Sequence, residues 1–197
     1  MTRIVAGVAK GRRLAVPDRG TRPTSERARE ALFNSLAALL HVDAPRVLDL
    51  FAGSGAVGLE ALSRGASTVE FVENDRTACE VVRRNISTVG LLGATLHRVT
   101  AAAYLAGAPD EPFDLVFLDP PYALAEEPLA ALLTALCARW DHRHDGRPQD
   151  TPRWLAPEAI VVVERSARGR EPRWPEGLGV IKNKRYGEGV LWYGRAL

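Results

Sequence analysis

The sequence predicts an α/β fold: an open, mostly parallel sheet with helices on both faces, closed by an antiparallel C-terminal hairpin. Three observations predict it. Strand-like and helix-like segments alternate from residue 46 onward, several of those strands are apolar at nearly every position, and GLGVIKNKRYGEGVLWYG places two strands around Tyr186 to Gly189. A chain of 197 residues is enough for one domain that buries roughly 70% of the surface of its unfolded chain.

The elements follow in order. RIVAGVAKGRRLAVP has two short apolar stretches around a Lys10-Gly11 turn, which predicts a small β-hairpin appendage over residues 1 to 20, with the main domain over 21 to 197. RPTSERAREALFNSLAALL offers Thr24 or Ser25 as N-cap and then Ala28, Leu32, Leu36, Leu39 and Leu40 on one helical stripe. RVLDLF (46–51) is a strand and GAVGLEALSRG a helix closed by Gly65. STVEFVE (67–73) is a strand, followed by a helix closed by Gly90. ATLHRV is a weak strand, AAAYLAG a short helix, FDLVFL a buried strand, Leu129 to Trp140 a helix and EAIVVVE (158–164) another buried strand. The polar run from Asp141 to Arg153 reads as a surface loop, and its His142 and His144 as solvent-exposed rather than metal-binding.

Cys79 and Cys137 belong to no CxxC or Cys/His cluster, so neither a disulfide framework nor a zinc site is expected, and both read as small buried residues on helices. No apolar run approaches a membrane span, and the N-terminal segment lacks a signal peptide's apolar core; a cytoplasmic protein is expected. The net charge of +2 is unevenly placed. Residues 1 to 30 hold eight basic side chains against Asp18, Glu26 and Glu30, a local +5 that leaves the remainder at −3. Such asymmetry suits a polyanionic partner.

In an open parallel sheet, ligands bind beyond the carboxyl ends of the strands near the switch in strand order. The first strand runs into DLFAGSGAVG, where Gly53, Gly55 and Gly58 match GxGxxG, and Glu73 stands 20 positions after Gly53 at the next strand end. Glycines let the backbone approach a ligand, and the carboxylate suits two ribose hydroxyls. A nicotinamide cofactor and S-adenosylmethionine both fit. Asp49 is placed to meet the methionine amine of the latter, directly or through water. The stretch LDPPY separates the two cofactors. Asp119 and Pro120 each precede a proline, so both are held extended with their carbonyls fixed past a strand end. That is a rigid acceptor edge for the two N–H donors of an exocyclic amine, with Tyr122 as a stacking face for a base; hydride transfer has no use for it.

These motifs resemble those of amino-group methyltransferases, and the match extends along the chain. RIVAGVAKGRRLAVP, TRPTSERAREALFNSL, DLFAGSGAVGLEALSRGA, VEND, LDPPY and KRYGEGVLWYG are similar, in order and spacing, to the RsmD family of bacterial methyltransferases, which modify guanine N2 in 16S ribosomal RNA. The resemblance implies a Rossmann-like class I methyltransferase sheet and S-adenosylmethionine as cofactor. It implies cofactor binding by Asp49, Phe51, Gly53, Gly55, Glu73, Asn74, Thr100 and Ala101, and target-amine binding by Asp119, Pro120, Pro121 and Tyr122. It also implies RNA contacts from Arg3, Lys10, Arg12, Arg13, Arg22 and Thr24, in a monomer that needs no metal. The sequence departs from the family in RVTAAAYL, where Thr100 and Ala101 replace the acid that usually meets the adenine amine. An adenine-N6 methyltransferase with the same acceptor edge stays open, as does a non-catalytic RNA-binding domain.

Overall fold

A computed structural model describes residues 1–17, 25–138 and 153–197. The order is β1 (Thr2–Arg3), β2 (Arg13–Leu14), α1 (Glu26–Ala37), β3 (Arg46–Asp49), α2 (Ala56–Ser63), β4 (Thr68–Val72), α3 (Arg76–Val89), β5 (Ala94–His97), α4 (Ala101–Leu105), β6 (Phe113–Leu118), α5 (Glu126–Cys137), β7 (Leu155–Ser166), β8 (Leu178–Tyr186) and β9 (Gly189–Ala196). β3 to β9 form one sheet in the order β5-β4-β3-β6-β7-β9-β8. Its first five members in that row are mutually parallel, while β9 is antiparallel to both β7 and β8. The chain builds outward from β3 to β5, then crosses back to place β6 against the free side of β3. The switch in direction therefore falls between β3 and β6.

The unbroken apolar strands have a physical reason: alternate residues enter two different cores. Val47, Phe71, Leu115, Phe117 and Val162 pack with α1, α2 and α3. Leu48, Val72, Val116, Leu118 and Val163 pack with α4 and α5. Gly58 holds α2 close to the sheet, since a Cβ there would stand 2.3 Å from Phe71 Cε1.

Several element boundaries differ from the sequence reading: α1 ends at Ala37, before Leu39 and Leu40 of the expected stripe, and β3 ends at Asp49 rather than residue 51. α5 starts at Glu126 rather than Leu129, because Pro128 sits in the first helical turn, where its missing N–H costs nothing. It ends at Cys137, and Trp140 lies outside the described residues, as does the Asp141–Pro152 part of the expected loop with His142 and His144. β7 begins at Leu155, ahead of the run at 158–164, and absorbs Pro157 through a register shift opposite Phe113 and Leu115. Ser25 is the N-cap of α1, accepting from the Ala28 amide at 3.1 Å. Cys79 is buried and Cys137 half-buried.

β1 and β2 form the expected hairpin, pairing Thr2 with Leu14 and Arg3 with Arg13. It is packed down tightly. Ile4, Ala9 and Leu14 are buried in the same core as α2 and α3. The fully buried Glu60 carboxylate accepts from the amides of Val5 and Ala6 at 2.7 and 2.9 Å, and Ser63 Oγ accepts from Ala9 at 3.0 Å. Asn85 accepts from the Ala15 amide and donates to the carbonyls of Ala15 and Ser54, tying the segment after the hairpin to the glycine turn. The buried Arg29 donates to Thr2 Oγ1 and the Arg3 carbonyl.

Candidate active site

A cavity of about 1350 Å³ opens at the carboxyl ends of β3 and β6, where sheet topology places ligand sites. Its lining runs from Glu73, Asn74, Thr100 and Ala101 on the β4 and β5 side, past Asp49, Phe51 and Gly53, to Asp119, Pro120, Pro121 and Tyr122 beyond β6. Of the cofactor residues named from the sequence, Gly55 alone does not line it. Gly55 serves as the α2 N-cap in the left-handed region, φ 73°, where it turns the chain from the loop into the helix.

Glu73 is half-buried and fixed by three amides. Its Oε2 accepts from Gly53 at 2.9 Å, and its Oε1 from Asn74 and Asp75 at 2.8 and 2.9 Å. The glycine turn and the entry to α3 are thereby joined through one carboxylate; three of its roughly four lone pairs are taken, and Oε2 keeps one for a ligand hydroxyl. Asp49 is buried beneath the turn, with Oδ2 accepting from the Gly58 amide at 3.3 Å. Burial pushes its carboxyl up to about 7, with Glu73 adding to the rise and the amides of Gly58 and Phe51 opposing it. Its Oδ1 is buried without a hydrogen bond of good geometry, an acceptor suited to a cationic amine.

Thr100 caps α4, its hydroxyl accepting from Ala103 at 3.1 Å. α4 is anchored from below: Tyr104 donates its hydroxyl to Glu70, and His97 Nε2 lies 2.8 Å from the same carboxylate. Burial and then Glu70 raise the Tyr104 phenol far above its ordinary value. At the other side of the cavity Pro120 is buried, Asp119 half-buried and Tyr122 56% exposed. Arg165 Nη2 donates to the Leu124 carbonyl at 3.0 Å and secures the chain after the prolines.

The basic residues divide. Lys10 and Arg13 are exposed on the hairpin, and Arg3 is exposed but paired with Glu26 at 3.0 Å. Arg12 donates through Nη1 to the carbonyls of Thr88 and Val89, at 2.9 and 2.6 Å, closing the end of α3. Arg22 and Thr24 lie outside the described residues. Sequence reasoning missed Pro17 and Glu164, both of which line the cavity. Glu164 had a readable signal: EAIVVVE, like FLD, is a buried strand that stops at an acid.

This sheet, with a glycine turn after β3 and an Asp-Pro-Pro-Tyr edge after β6 facing one cavity, has the architecture of a Rossmann-like methyltransferase. The comparisons with known proteins agree. The model of the family described as "Conserved hypothetical protein 95" matches residues 2–195. The chain is 37% identical over 189 residues to ribosomal RNA small subunit methyltransferase D of Escherichia coli K12, covering 94% of this chain and 85% of that protein. Its Haemophilus influenzae counterpart is 35% identical over 191 residues, covering 94% and 89%. The solved structure of the Escherichia coli methyltransferase yhhF superposes with a TM-score of 0.82 at 31% identity, covering 99% of this chain and 97% of that one. The chain belongs to this family, the RsmD methyltransferases.

Proposed function

We propose that the protein transfers the methyl group of S-adenosylmethionine to the exocyclic N2 amine of a guanine in 16S ribosomal RNA, acting as a cytoplasmic monomer on RNA free or within an assembling small subunit. The observation that carries this reading is the shared cavity, which holds a diol-binding carboxylate toward one side and the acceptor edge of Asp119 and Pro120 toward the other. In this reading Glu73 holds the ribose hydroxyls and Asp49 Oδ1 the methionine amine. Phe51, Gly53 and Asn74 shape the wall between them, and Thr100 and Ala101 bound the adenine side. When bound, S-adenosylmethionine supplies an electrophilic methyl group.

The residues of this chain have a positioning task. The N2 lone pair of guanine is delocalised into the ring, so the nitrogen is a weak nucleophile. Asp119 and the Pro120 carbonyl accept its two hydrogens and favour a pyramidal amine whose lone pair is free. Pro121 keeps the Pro120 carbonyl aimed, because the residue before a proline stays extended. Tyr122 offers a stacking surface worth roughly 1 to 3 kcal/mol per base. Holding nitrogen and methyl in line at about 3 to 3.5 Å removes much of the entropic barrier. A paired base cannot reach the cavity, so the target enters unpaired or flipped out. Lys10 and Arg13 contact phosphates, and Arg3 lies beside them at the hairpin base.

Incubation with labelled S-adenosylmethionine and 16S RNA, free and in partly assembled small subunits, followed by mapping of the label, tests the reading. Label at a guanine N2 supports it. Label at adenine N6 replaces it with the alternative chemistry, and RNA binding without transfer or cofactor response leaves a binding module.

A further inference from the structure

The acceptor edge at Asp119 and Pro120 recognises an amine but does not identify the base that carries it. Adenine N6 and guanine N2 each present two N–H donors. What separates the bases is the neighbouring ring nitrogen: N1 of guanine bears a hydrogen, whereas N1 of adenine is a lone pair. A carboxylate placed beside the amine site accepts from the first and is repelled by the second.

The structure contains such a group. β6 and β7 are parallel neighbours whose last matched pair is Leu118 and Val163, and Asp119 and Glu164 are the residues that follow that pair. Matched positions on parallel strands project to one face, with backbones about 4.8 Å apart. Leu118 and Val163 both enter the core under α5, so Asp119 and Glu164 turn together to the opposite side. Both line the cavity that holds Pro120 and Tyr122. The glycine at 189 leaves Glu164 its place: a Cβ added there would stand 3.2 Å from Glu164 Oε1.

We propose that Glu164 is the specificity-determining residue for the target base, accepting the N1–H of guanine while Asp119 and the Pro120 carbonyl accept the N2 hydrogens. This rests on the guanine-N2 reading above. The division suits side chains from neighbouring strand ends, whose oxygens can converge more closely than the backbones, as two adjacent donors on one base edge require. It gives the site a reason to reject adenine that the Asp-Pro-Pro-Tyr edge lacks, since a half-buried acceptor facing a lone pair is repelled as well as left without its hydrogen bond.

The test replaces the mapped target guanine with 2-aminopurine, which keeps the exocyclic amine and presents a lone pair at N1. RNA of both kinds is offered in whichever form, free or in a reconstituted subunit, accepts methyl in the mapping experiment. Wild-type protein is expected to prefer guanine in kcat/KM by about 10- to 100-fold or more. Glu164→Gln, isosteric and able to donate as well as accept, is expected to narrow that ratio at least tenfold, whereas Glu164→Asp keeps a guanine preference. Equal use of the two bases by the wild type overturns the proposal whatever the variants do. So does an unchanged ratio in a folded Glu164→Gln. Failure to methylate any guanine N2 rejects the functional reading itself, a different outcome from methylation without discrimination at N1.

Discussion

Replacing Asp49 with asparagine tests the link between burial, charge and ligand. The carboxyl is 1% exposed, and burial raises it from its ordinary value of 3.8 to about 7. A group whose folded pKa lies above its unfolded pKa contributes stability that is complete below the unfolded value and lost as pH rises through the folded one. Here the window runs from about 3.8 to about 7. At about 1.36 kcal/mol per pH unit, holding the ionised form at this buried position costs on the order of 4 kcal/mol at pH 8. Asparagine keeps the shape of the neutral acid and an acceptor for Gly58. Asp49→Asn is therefore expected to stabilise the ligand-free protein in urea unfolding at pH 8 by as much as about 4 kcal/mol, with the gain shrinking toward zero below pH ~4. Ligand binding should show the reverse. A cationic amine needs the ionised carboxylate, of which about a tenth remains at pH 6, so wild-type affinity for S-adenosylmethionine falls about tenfold between pH 8 and 6. Subtracting the Asp49→Asn profile removes the titration of the ligand's own amine. An Asp49→Asn protein no more stable than wild type at pH 8, with a parallel affinity profile, refutes the reasoning.

Further outcomes follow from the rest of the site. Glu73→Ala should weaken cofactor binding by roughly 1.5 to 3 kcal/mol in calorimetry, with RNA affinity nearly unchanged, because a charge-assisted acceptor is removed; unaltered affinity excludes Glu73 from the site. Asp119→Ala should retain the fold and most cofactor affinity while slowing single-turnover methyl transfer by about a hundredfold or more. Tyr122→Phe should keep most activity and Tyr122→Ala lose it, and equal loss in both shows that the hydroxyl rather than the ring matters. Changing Lys10 and Arg13 to alanine should lower the salt slope of RNA binding by roughly 0.7 to 0.9 for each phosphate no longer neutralised. Arg12→Ala instead should lower the thermal midpoint, because that side chain closes α3; a steep loss of RNA affinity at unchanged stability returns Arg12 to the RNA surface.

The contrast between Arg12 and Lys10 shows where the sequence is legible. Periodicity and turn residues act locally, so the parallel strands, the glycine ends of α2 and α3 and the C-terminal hairpin were all readable. So were the Asp-Pro-Pro-Tyr edge and the glycine turn, whose chemistry depends on adjacent residues. Glu60, Asn85 and Arg29 were not. In the sequence each looks like a solvated residue on an amphipathic helix, and each is buried because the N-terminal segment lies across it. Trp154 is fully buried for a similarly non-local cause, the extension of β7 beside Phe113. The start of α5 was hidden by Pro128, since proline breaks a helix interior and is accommodated here only because it falls in the first turn.

The manner in which the hairpin is fastened also limits how the enzyme can be dissected. Deletion is the obvious route to a catalytic core blind to RNA, and here it fails for a physical reason. Removing residues 1 to 14 uncovers the hollow filled by Ile4, Ala9 and Leu14 and takes the Val5 and Ala6 amides from the Glu60 carboxylate, leaving Arg64 Nε at 2.8 Å as its partner. Losing the burial of those apolar side chains costs roughly 1.5 to 3 kcal/mol for each large one, a large part of the stability of a domain this size. A truncated protein that lost activity would thus report a collapsed α2 and a displaced glycine turn, not a missing RNA contact. A test of RNA contact by this segment is therefore cleaner at single exposed side chains such as Lys10 and Arg13, with the backbone of the hairpin left in place.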